Sequence, residues 1–592
     1  MQFNELQKQT NTNIQEKANL IWESATHLVG LFKPHEYGKV ILPMTVLKRF
    51  DDALAPTKQA VLEMKKKLDA TGANEQLIEG ALTRTSGYAF YNTSKFDFQK
   101  LLADPDNIAD NFDDYLKGFS ANVADIISRF EFANTVGTMV EGGVLFVMIQ
   151  EFNSAKADMS PQKITSADMG YIFEELIRKF SESYDEQAGA HFTSRDIIYL
   201  MTELLISPEK EEIKENGCTK TAYDMAMGTS QMLGCLTERL QEISEDAVLT
   251  CFGQEFNPET YAIAKSDMLI KGGNASGMMY GDTLSQDKFT GYEFDYIISN
   301  PPFGIDWKRE RAEVEAEAKK GFDGRFGPGL PPVSDGQMLF MLNGVKKLKE
   351  GSGRMAIIQN GSSLSSGDAG SGSSEIRRYV IGDDLVDAII QLPNDIFYNA
   401  NIATYIWILT KGKEMRRSGK VQLIDASKCF VKRKKNIGNK RVDLDDRCIQ
   451  LILRAYESFD NAVIEENGLT VESRVYDNDF FGYTKVTIET ALCDDRGHYI
   501  LKKGKKQPIK GASDFEIIPL QENIDSYVEK NVLPYNMAAY VEPSKDKIGY
   551  EVPFTRLFYR FVPPAPSVEI FDEIKGLEAE ETKLMKELFG NA

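Results

Sequence analysis

Residues 294–299 form a short run of aromatic and β-branched side chains that stops at an Asn-Pro-Pro-Phe sequence, residues 300–303. Such a run is typical of a buried strand, and an Asn-Pro step ends it. The two prolines fix their own φ angles and remove two backbone donors, so the turn after the strand is rigid. In an open α/β sheet, ligands bind outside the carboxyl ends of the strands. The sequence therefore predicts that Asn300 is presented at a ligand-binding edge.

The turn formed by Asn300, Pro301, Pro302 and Phe303 combines hydrogen-bond acceptors with an aromatic ring. The side-chain oxygen of Asn300 and the carbonyl of Pro301 can accept both hydrogens of an exocyclic amine. A planar ring that carries this amine would stack on Phe303, and the nitrogen lone pair would point toward a methyl donor. For the tetrapeptide alone, a strand-ending turn without chemistry is the alternative.

Polar residues or glycine follow four predicted strands in this region, which alternates strands with helices. Alternation of this kind is typical of a parallel α/β sheet, so we predict a Rossmann-like α/β fold. The predicted strands are 221–227, 248–253, 277–280 and 294–299. The residues at their carboxyl ends are Asp224 with the turn Gly228, Thr229 and Ser230, then Glu255, Asp282 and Asn300. A carboxylate after the second strand can accept both ribose hydroxyls of an adenosyl group, and Asp282 can accept from its adenine amine.

Three further segments flank this predicted site. Phe192 and Thr193 precede a helix predicted over 197–205, with Thr193 or Ser194 as its amino-terminal cap. The Gly/Pro-rich run 321–332 is predicted to be a mobile loop. The Gly/Ser-rich run 361–374 is predicted to be flexible, as a substrate-edge loop or a linker.

The chain divides into three predicted regions. Residues 1–155 read as a helical amino-terminal domain, with amphipathic runs over 18–32 and 46–68. Residues 156–470 form the α/β domain, and residues 471–592 form a carboxyl-terminal region. Its last helix, predicted over 568–589, is too short to be stable alone, so we expect it to dock on a partner helix.

Charge and composition narrow the function classes. The net charge is −20, from 69 Lys and Arg against 89 Asp and Glu, and an acidic chain binds DNA poorly without a local basic patch or a partner. The densest basic cluster is Lys432, Arg433, Lys434 and Lys435, continued by Lys440 and Arg441. We predict that it contacts a DNA backbone, and a second cluster over 502–510 is a further candidate.

Cysteine and histidine spacing predicts no metal site, because the cysteines are scattered and the histidines are isolated. The amino terminus is polar, and the sequence has no apolar stretch long enough to span a membrane. These two features predict a cytoplasmic protein without a membrane partner.

The order of these motifs resembles the modification (methyltransferase) subunit of type I restriction-modification systems, which are adenine-N6 DNA methyltransferases. The likeness extends over nearly the whole chain, including residues 41–52 and 549–556. It is carried by Phe192-Thr193, Asp224 to Gly228, Gly253-Gln254-Glu255, Asn257-Pro258, Gly281-Asp282-Thr283 and Asn300-Pro301-Pro302-Phe303.

This resemblance implies a bound S-adenosylmethionine and no metal. Phe192, Thr193 and the turn from Asp224 through Gly228, Thr229 and Ser230 would lie near its methionine part, Glu255 at its ribose and Asp282 near its adenine. It also implies a target adenine flipped out of the duplex and stacked on Phe303. The implied partners are DNA, a specificity subunit, a second copy of the modification subunit and a restriction-translocase subunit.

One departure from the family pattern concerns the cofactor turn. The family's usual turn has glycines where this chain has Ser230 and Gln231, and side chains there crowd the methionine part or require strained φ angles. Two alternatives stay open beside DNA adenine methylation. One is methylation of a protein glutamine amide, because an Asn-Pro-Pro-aromatic turn serves any planar amide or amine nitrogen. The other, motivated by the altered glycine turn, is a catalytically silent scaffold subunit of the same complex.

Overall fold

The computed structural model describes residues 16–165, 168–170, 172–173, 175–176, 179, 193–398, 402–494, 498–561 and 565–589. They fall into two compact units, divided between Val552 and Pro553.

The amino-terminal region is helical, as predicted. Its α-helices are Gly38–Leu54 (α1), Lys58–Ala70 (α2), Glu75–Ser86 (α3), Phe98–Leu101 (α4), Ile108–Lys117 (α5), Ala121–Ser128 (α6), Phe132–Glu141 (α7) and Leu145–Phe152 (α8). The predicted run 46–68 is two helices, separated by a turn over residues 55–57 that contains Pro56. The predicted run 18–32 is α-helical only to residue 23, and a 3₁₀ turn follows over Ser24–Leu28.

No single helix among the described residues is long and apolar enough to cross a membrane. The bent pair α7 and α8, with 112° between its halves, reaches that length and composition only when the two helices are taken together.

The next region is built on a ten-stranded mixed sheet, which confirms the predicted α/β fold. Its strands and an adjoining hairpin (β9 and β10) are Thr219–Asp224 (β1), Val248–Glu255 (β2), Met278–Tyr280 (β3), Tyr296–Ser299 (β4), Arg354–Asn360 (β5), Val386–Gln391 (β6), Thr404–Thr410 (β7), Lys420–Lys428 (β8), Val431–Ile437 (β9), Lys440–Asp443 (β10), Ala462–Glu466 (β11) and Leu469–Asp477 (β12). Its helices are Arg195–Ile206 (α9), Lys210–Asn216 (α10), Gln231–Ile243 (α11), Pro258–Lys271 (α12), Arg311–Ala318 (α13), Gln337–Lys346 (α14), Ser362–Ser365 (α15), Gly372–Gly382 (α16) and Asp446–Ser458 (α17).

The strand order is β11-β12-β8-β6-β7-β5-β4-β1-β2-β3. Strands β3, β2, β1, β4 and β5 are parallel, so their carboxyl ends share one edge. The order reverses between β1 and β4, which is the position where open α/β sheets bind ligands. The four predicted strand ends therefore lie side by side at the switch point of the sheet.

Apolar side chains on both faces hold this sheet. Leu200, Met201 and Leu204 of α9 pack with Leu233 and Leu236 of α11 in the same buried cluster as the sheet strands. On α12, Ala262, Ile263, Leu269 and Ile270 belong instead to the core of the amino-terminal helices. Helix α12 thus joins the helical region to the sheet.

The two glycine-rich runs are packed. The predictions of a mobile loop over 321–332 and of a flexible loop over 361–374 are therefore wrong. Arg325 and Phe326 are buried in the first run, and Ser363, Ser373 and Ser374 are buried in the second. The runs meet through their backbones. A Cβ atom on Gly372 would lie 1.7 Å from the carbonyl oxygen of Leu330, which only glycine avoids.

Beyond the large sheet, β13 is the centre of a small antiparallel sheet with one packed helix. Its strands are Gly482–Thr490 (β13), Asp514–Pro519 (β16), Ala539–Val541 (β17) and Lys547–Tyr550 (β18), and the helix is Ile524–Asn531 (α18). A separate hairpin pairs Leu501–Lys502 (β14) with Lys505–Lys506 (β15). The second unit contains the helices Phe554–Phe558 (α19) and Ser567–Phe589 (α20). Helix α20 begins one residue before the predicted tail helix and ends with it.

Candidate active site

Asn300 follows β4 directly and is buried, with 7% of its surface exposed. Its side-chain nitrogen donates to Thr193 Oγ1 at 2.8 Å. Its side-chain oxygen is buried and has no hydrogen-bond partner among the described residues. A buried acceptor without a partner costs about 1–3 kcal/mol. The bond to Thr193 orients the amide, so the free oxygen is a fixed acceptor for a donor from outside the protein.

The rest of the turn is held by a polar network. The Gly304 N–H donates to Asp335 Oδ1 at 3.2 Å, and Ser362 Oγ donates to Asp335 Oδ2 at 2.8 Å. Gly304 has a φ of +73°, which favours glycine at this sharp bend. Pro301 is buried and Phe303 is half-buried against the sheet core, so part of the Phe303 ring stays accessible.

Asp224 lies at the end of β1 and faces β4. Its Oδ1 accepts from Ser299 Oγ at 2.7 Å and from the Ala226 N–H at 3.1 Å. Burial raises the pKa of Asp224 to about 7, although these two hydrogen bonds lower it. Asp224 thereby connects the first strand's turn to the residue that precedes Asn300.

The turn after β1 joins the end of β2 through Glu255. Gly228 has a φ of +52° and donates its N–H to Glu255 Oε2 at 2.8 Å. Glu255 Oε1 accepts from the Asn257 N–H at 2.7 Å. Burial raises the pKa of Glu255 even with these bonds. The carboxylate is thus held beside the glycine turn at the ligand edge.

Ser230 and Gln231, the residues that depart from the family pattern, have buried side-chain atoms without partners, and Ser230 also has a strained backbone. Ser230 is left-handed with a φ of +67°, a conformation that costs a non-glycine residue about 1–2 kcal/mol. Ser230 Oγ and both amide atoms of Gln231 are buried without partners among the described residues. Thr229 beside them is also buried. The turn therefore keeps the glycine-type backbone and carries three unsatisfied polar atoms at the start of α11.

Asp282 follows β3 and is half-buried. Its Oδ1 accepts from the Leu284 and Ser285 N–H groups at 2.9 and 2.7 Å. The turn is also fixed from the first glycine-rich run, because Arg325 donates to the carbonyls of Thr283 and Leu284 at 2.7 and 3.0 Å. Sequence reasoning missed Arg325, since a single arginine in a Gly/Pro-rich run gives no signal of burial.

The basic cluster lies on the β9–β10 hairpin. Lys432 and Lys434 are exposed and share one face of β9, because side chains in a strand alternate. Arg433 forms an ion pair with Asp443 across the hairpin. The backbone of Lys435 is in β9, but its side chain lies outside the described residues. Two of the four predicted DNA contacts are therefore exposed lysines.

Lys440 does not belong to this basic surface, so its assignment to the cluster is wrong. It is buried, and its ammonium donates to Asp196 Oδ2 at 3.0 Å, Ser194 Oγ at 3.1 Å and the Ile396 carbonyl at 3.0 Å. Burial alone would raise the pKa of Asp196, but Lys440 and the bonds from Ser194 and Leu444 lower it. The pair anchors the hairpin to the segment that supplies Thr193.

The segment before α9 differs in detail from the prediction. Ser194 is the cap residue of α9, yet neither Ser194 nor Thr193 makes the predicted side-chain cap bond; the Ser194 hydroxyl donates to Asp196. Thr193 instead accepts from Asn300. Phe192, the other predicted residue here, lies outside the described residues. Among the described residues, no group of three or more His, Cys, Asp and Glu side chains is arranged to hold a metal.

Two family models match the chain. The N-6 DNA Methylase model matches residues 165–489, more than half of the chain. The HsdM N-terminal domain model matches residues 17–152. The first match spans the four strand ends, and the second spans the amino-terminal helices.

Curated relatives carry related names. The type I restriction enzyme MjaIX methylase subunit of Methanocaldococcus jannaschii is 24% identical over 314 residues, covering 52% of this chain and 51% of that protein. The type I restriction enzyme HindI methylase subunit of Haemophilus influenzae is 26% identical over 263 residues, covering 44% and 54%. The chain thus aligns with about half the length of these relatives.

A solved structure shares the fold. The type I restriction-modification system methyltransferase subunit from Streptococcus thermophilus superimposes with a TM-score of 0.59 at 22% identity, covering 79% of this chain and 96% of that one. At this identity the likeness concerns the fold alone.

Proposed function

Because the chain belongs to the N-6 DNA methylase family, we propose that it transfers a methyl group to the N6 amine of adenine in DNA, as the modification subunit of a type I restriction-modification complex. The observation that carries the proposal is the unpartnered side-chain oxygen of Asn300, which lies in the same turn as the partly exposed Phe303. An acceptor and an aromatic face in one rigid turn suit a flipped base that bears an amine.

The strand ends fit S-adenosylmethionine as the methyl donor. Glu255, at the end of the second strand, would accept the ribose hydroxyls, and Asp282 would receive the adenine amine. Gly228 leaves room for close backbone approach, and the three unpartnered polar atoms of Ser230 and Gln231 would bond the charged methionine end. S-adenosylmethionine, when bound, supplies an electrophilic methyl group on a sulfonium sulfur.

The chain's own residues position the amine. Asn300 Oδ1 would accept one amine hydrogen and the Pro301 carbonyl the other, which directs the nitrogen lone pair out of the base plane. Thr193 holds the amide of Asn300 in the required orientation at 2.8 Å, and Phe303 would stack on the base. Positioning and electrostatics then contribute most of the rate, and no covalent bond to the enzyme is needed.

The partners in this proposal are a specificity subunit, a second modification subunit and a restriction-translocase subunit, in the cytoplasm. Support for a docking role comes from α20, whose apolar residues are exposed within its own unit. They are Val568, Ile570, Phe571, Ile574, Leu577, Leu584 and Met585. An exposed apolar stripe on a helix is typical of a surface that packs on a partner.

We expect Lys432 and Lys434 to contact the DNA backbone beside the active site. Replacing both with Ala should weaken DNA binding at low salt. It should also make the plot of log affinity against log salt shallower by about two, since each lost phosphate contact removes about 0.9 from the slope. Fluorescence anisotropy of a labelled duplex over a salt series measures both quantities.

The matched control is Lys66→Ala with Lys67→Ala, which removes the same charge from exposed lysines of α2. It should leave the slope unchanged. Equal slopes for all three proteins would exclude the β9–β10 hairpin as a phosphate contact.

The proposed function itself is tested by expressing this chain with the products of its neighbouring genes and mapping which DNA base gains a methyl group. We expect N6-methyladenine. Methyl transfer to a protein glutamine with none to DNA would favour the first alternative. Absence of S-adenosylmethionine binding, measured by calorimetry on the assembled complex, would favour the silent scaffold.

A further inference from the structure

A cavity of about 350 Å³ lies between the amino terminus of α16 and the segment that follows residues 300–304, which we call the catalytic turn. One wall is apolar and is formed by Trp307, Leu330, Pro331, Pro332 and Val333. The polar wall is formed by Gly367 and residues 371–373. Its volume is at the small end of the range for sites that bind small ligands.

The polar wall contains groups without partners. Ser373 is buried with 1% of its surface exposed, and its hydroxyl has no hydrogen-bond partner among the described residues. The Ser371 hydroxyl is also buried and unpartnered, although Ser371 is the cap residue of α16 and could have capped it. The first backbone N–H groups of a helix have no intrahelical acceptors. Together these donors suit an anion at the helix amino terminus.

Acidic groups near the cavity are neutralised. Glu315, which lines it, is paired with Arg311 at 2.6 Å. Asp368 is paired with Lys485 at 2.6 Å, and Glu375 with Arg378 at 3.4 Å. An anion entering the cavity therefore meets no unpaired carboxylate among these three.

The cavity is connected to the catalytic turn through a short path. Trp307 is seven residues after Asn300, and its backbone N–H donates to the Val333 carbonyl at 3.0 Å. Its indole N–H donates to Pro332. The apolar wall is thus a rigid continuation of the Asn300 turn.

We propose that this cavity binds one sugar–phosphate unit of the DNA strand that carries the flipped base. The phosphate would lie on the Ser371 and Ser373 hydroxyls and the α16 amino terminus, and the deoxyribose on the Trp307 and proline wall. This inference rests on the proposed function, because it names a second contact for the same DNA substrate.

The test uses the full chain in its assembled complex. Ser371→Ala with Ser373→Ala removes only unpartnered hydroxyls, so the thermal midpoint should not fall. DNA affinity should fall about tenfold to a hundredfold, the effect of losing hydrogen bonds to a charged group. Ser365→Ala, an exposed serine of the same run, is the matched control and should bind DNA like the wild type.

A second variant, Ser371→Asp, places a carboxylate where the phosphate would lie. Aspartate is a favoured cap residue, so folding should be retained. DNA affinity should fall further than in the alanine variant, with a salt slope shallower by about one. Methylation by the wild type together with wild-type DNA binding by both variants would overturn the inference alone. Absence of DNA binding and methylation by the wild type would overturn the proposed function as well.

Inorganic phosphate distinguishes a DNA site from a site for a free anion. If phosphate raises the thermal midpoint of the wild type but not of Ser371→Asp, while both bind DNA equally, the cavity holds a free phosphate compound and the inference is wrong. If phosphate instead competes with DNA in the wild type but not in Ser371→Asp, then free phosphate and the DNA strand bind the same cavity, as we expect.

Discussion

Asn300→Ala should lower the rate of methyl transfer about a hundredfold to a thousandfold, the usual effect of removing one fixed polar group that acts on the reacting centre. The structure gives the reason, because Asn300 Oδ1 is buried without a partner among the described residues. Its removal leaves the amine with one acceptor, the Pro301 carbonyl. The measurement is transfer of labelled methyl groups to DNA under single-turnover conditions.

Asn300→Asp tests whether the free acceptor oxygen of Asn300 is enough for methyl transfer, because it keeps that oxygen and removes the amide nitrogen. Aspartate keeps an oxygen at the free position, and its second oxygen can accept from the Thr193 hydroxyl, which now donates. We therefore expect Asn300→Asp to retain more activity than Asn300→Ala. Its thermal midpoint should be the lower of the two, because a buried carboxylate without a charge partner destabilises the folded chain. Equal rates in the wild type and Asn300→Ala would refute the role of this amide.

Lys440→Met should lower the free energy of unfolding by about 3–5 kcal/mol, because it leaves the Asp196 carboxylate, whose side chain is only 11% exposed, without its charge partner. The loss should also reach the active site, since the same ammonium bonds Ser194, the neighbour of Thr193. Differential scanning calorimetry measures the first effect.

The double variant Lys440→Met with Asp196→Asn tests the cause. An asparagine keeps acceptor capacity without charge, so part of the lost stability should return, and the two changes should not be additive. Lys420→Met is the control, because its ion pair with Asp477 is exposed and such pairs contribute about 0–1 kcal/mol. A Lys440→Met effect no larger than that of Lys420→Met would contradict the buried-pair interpretation.

The ends of β3 and β4 could be predicted because local sequence determines them. A strand that reaches Asn300-Pro301 stops there, because proline cannot continue it. The other two ends were placed less well, since β1 ends at Asp224, three residues before the predicted end, and β2 continues two residues beyond it to Glu255. Once the strands are parallel and adjacent, Glu255 and Asp282 must share an edge, and the structure places Glu255 opposite Tyr280, two residues before Asp282.

The supporting contacts could not be predicted, because they join residues far apart in the chain. Lys440 appeared in a basic run, yet it forms a buried pair with a residue 244 positions away. Arg325 sits in a run that looks mobile, yet it fixes the turn that begins at Asp282. Neither composition nor periodicity carries information about such pairs. The packing of the glycine-rich runs was mispredicted for the same reason.

The contact between Leu330 and Gly372 limits how this protein can be recombined with its relatives. Each backbone is shaped to the other, and a Cβ at Gly372 would overlap the Leu330 carbonyl. A chimera with a crossover between these two positions would combine surfaces that did not arise together. Trp307 also bonds the carbonyls of Pro332 and Val333, which ties the catalytic turn to this contact. Viable hybrids should therefore inherit residues 300–382 from one parent, and exchange of this block as a whole should preserve the cavity along with the catalytic turn.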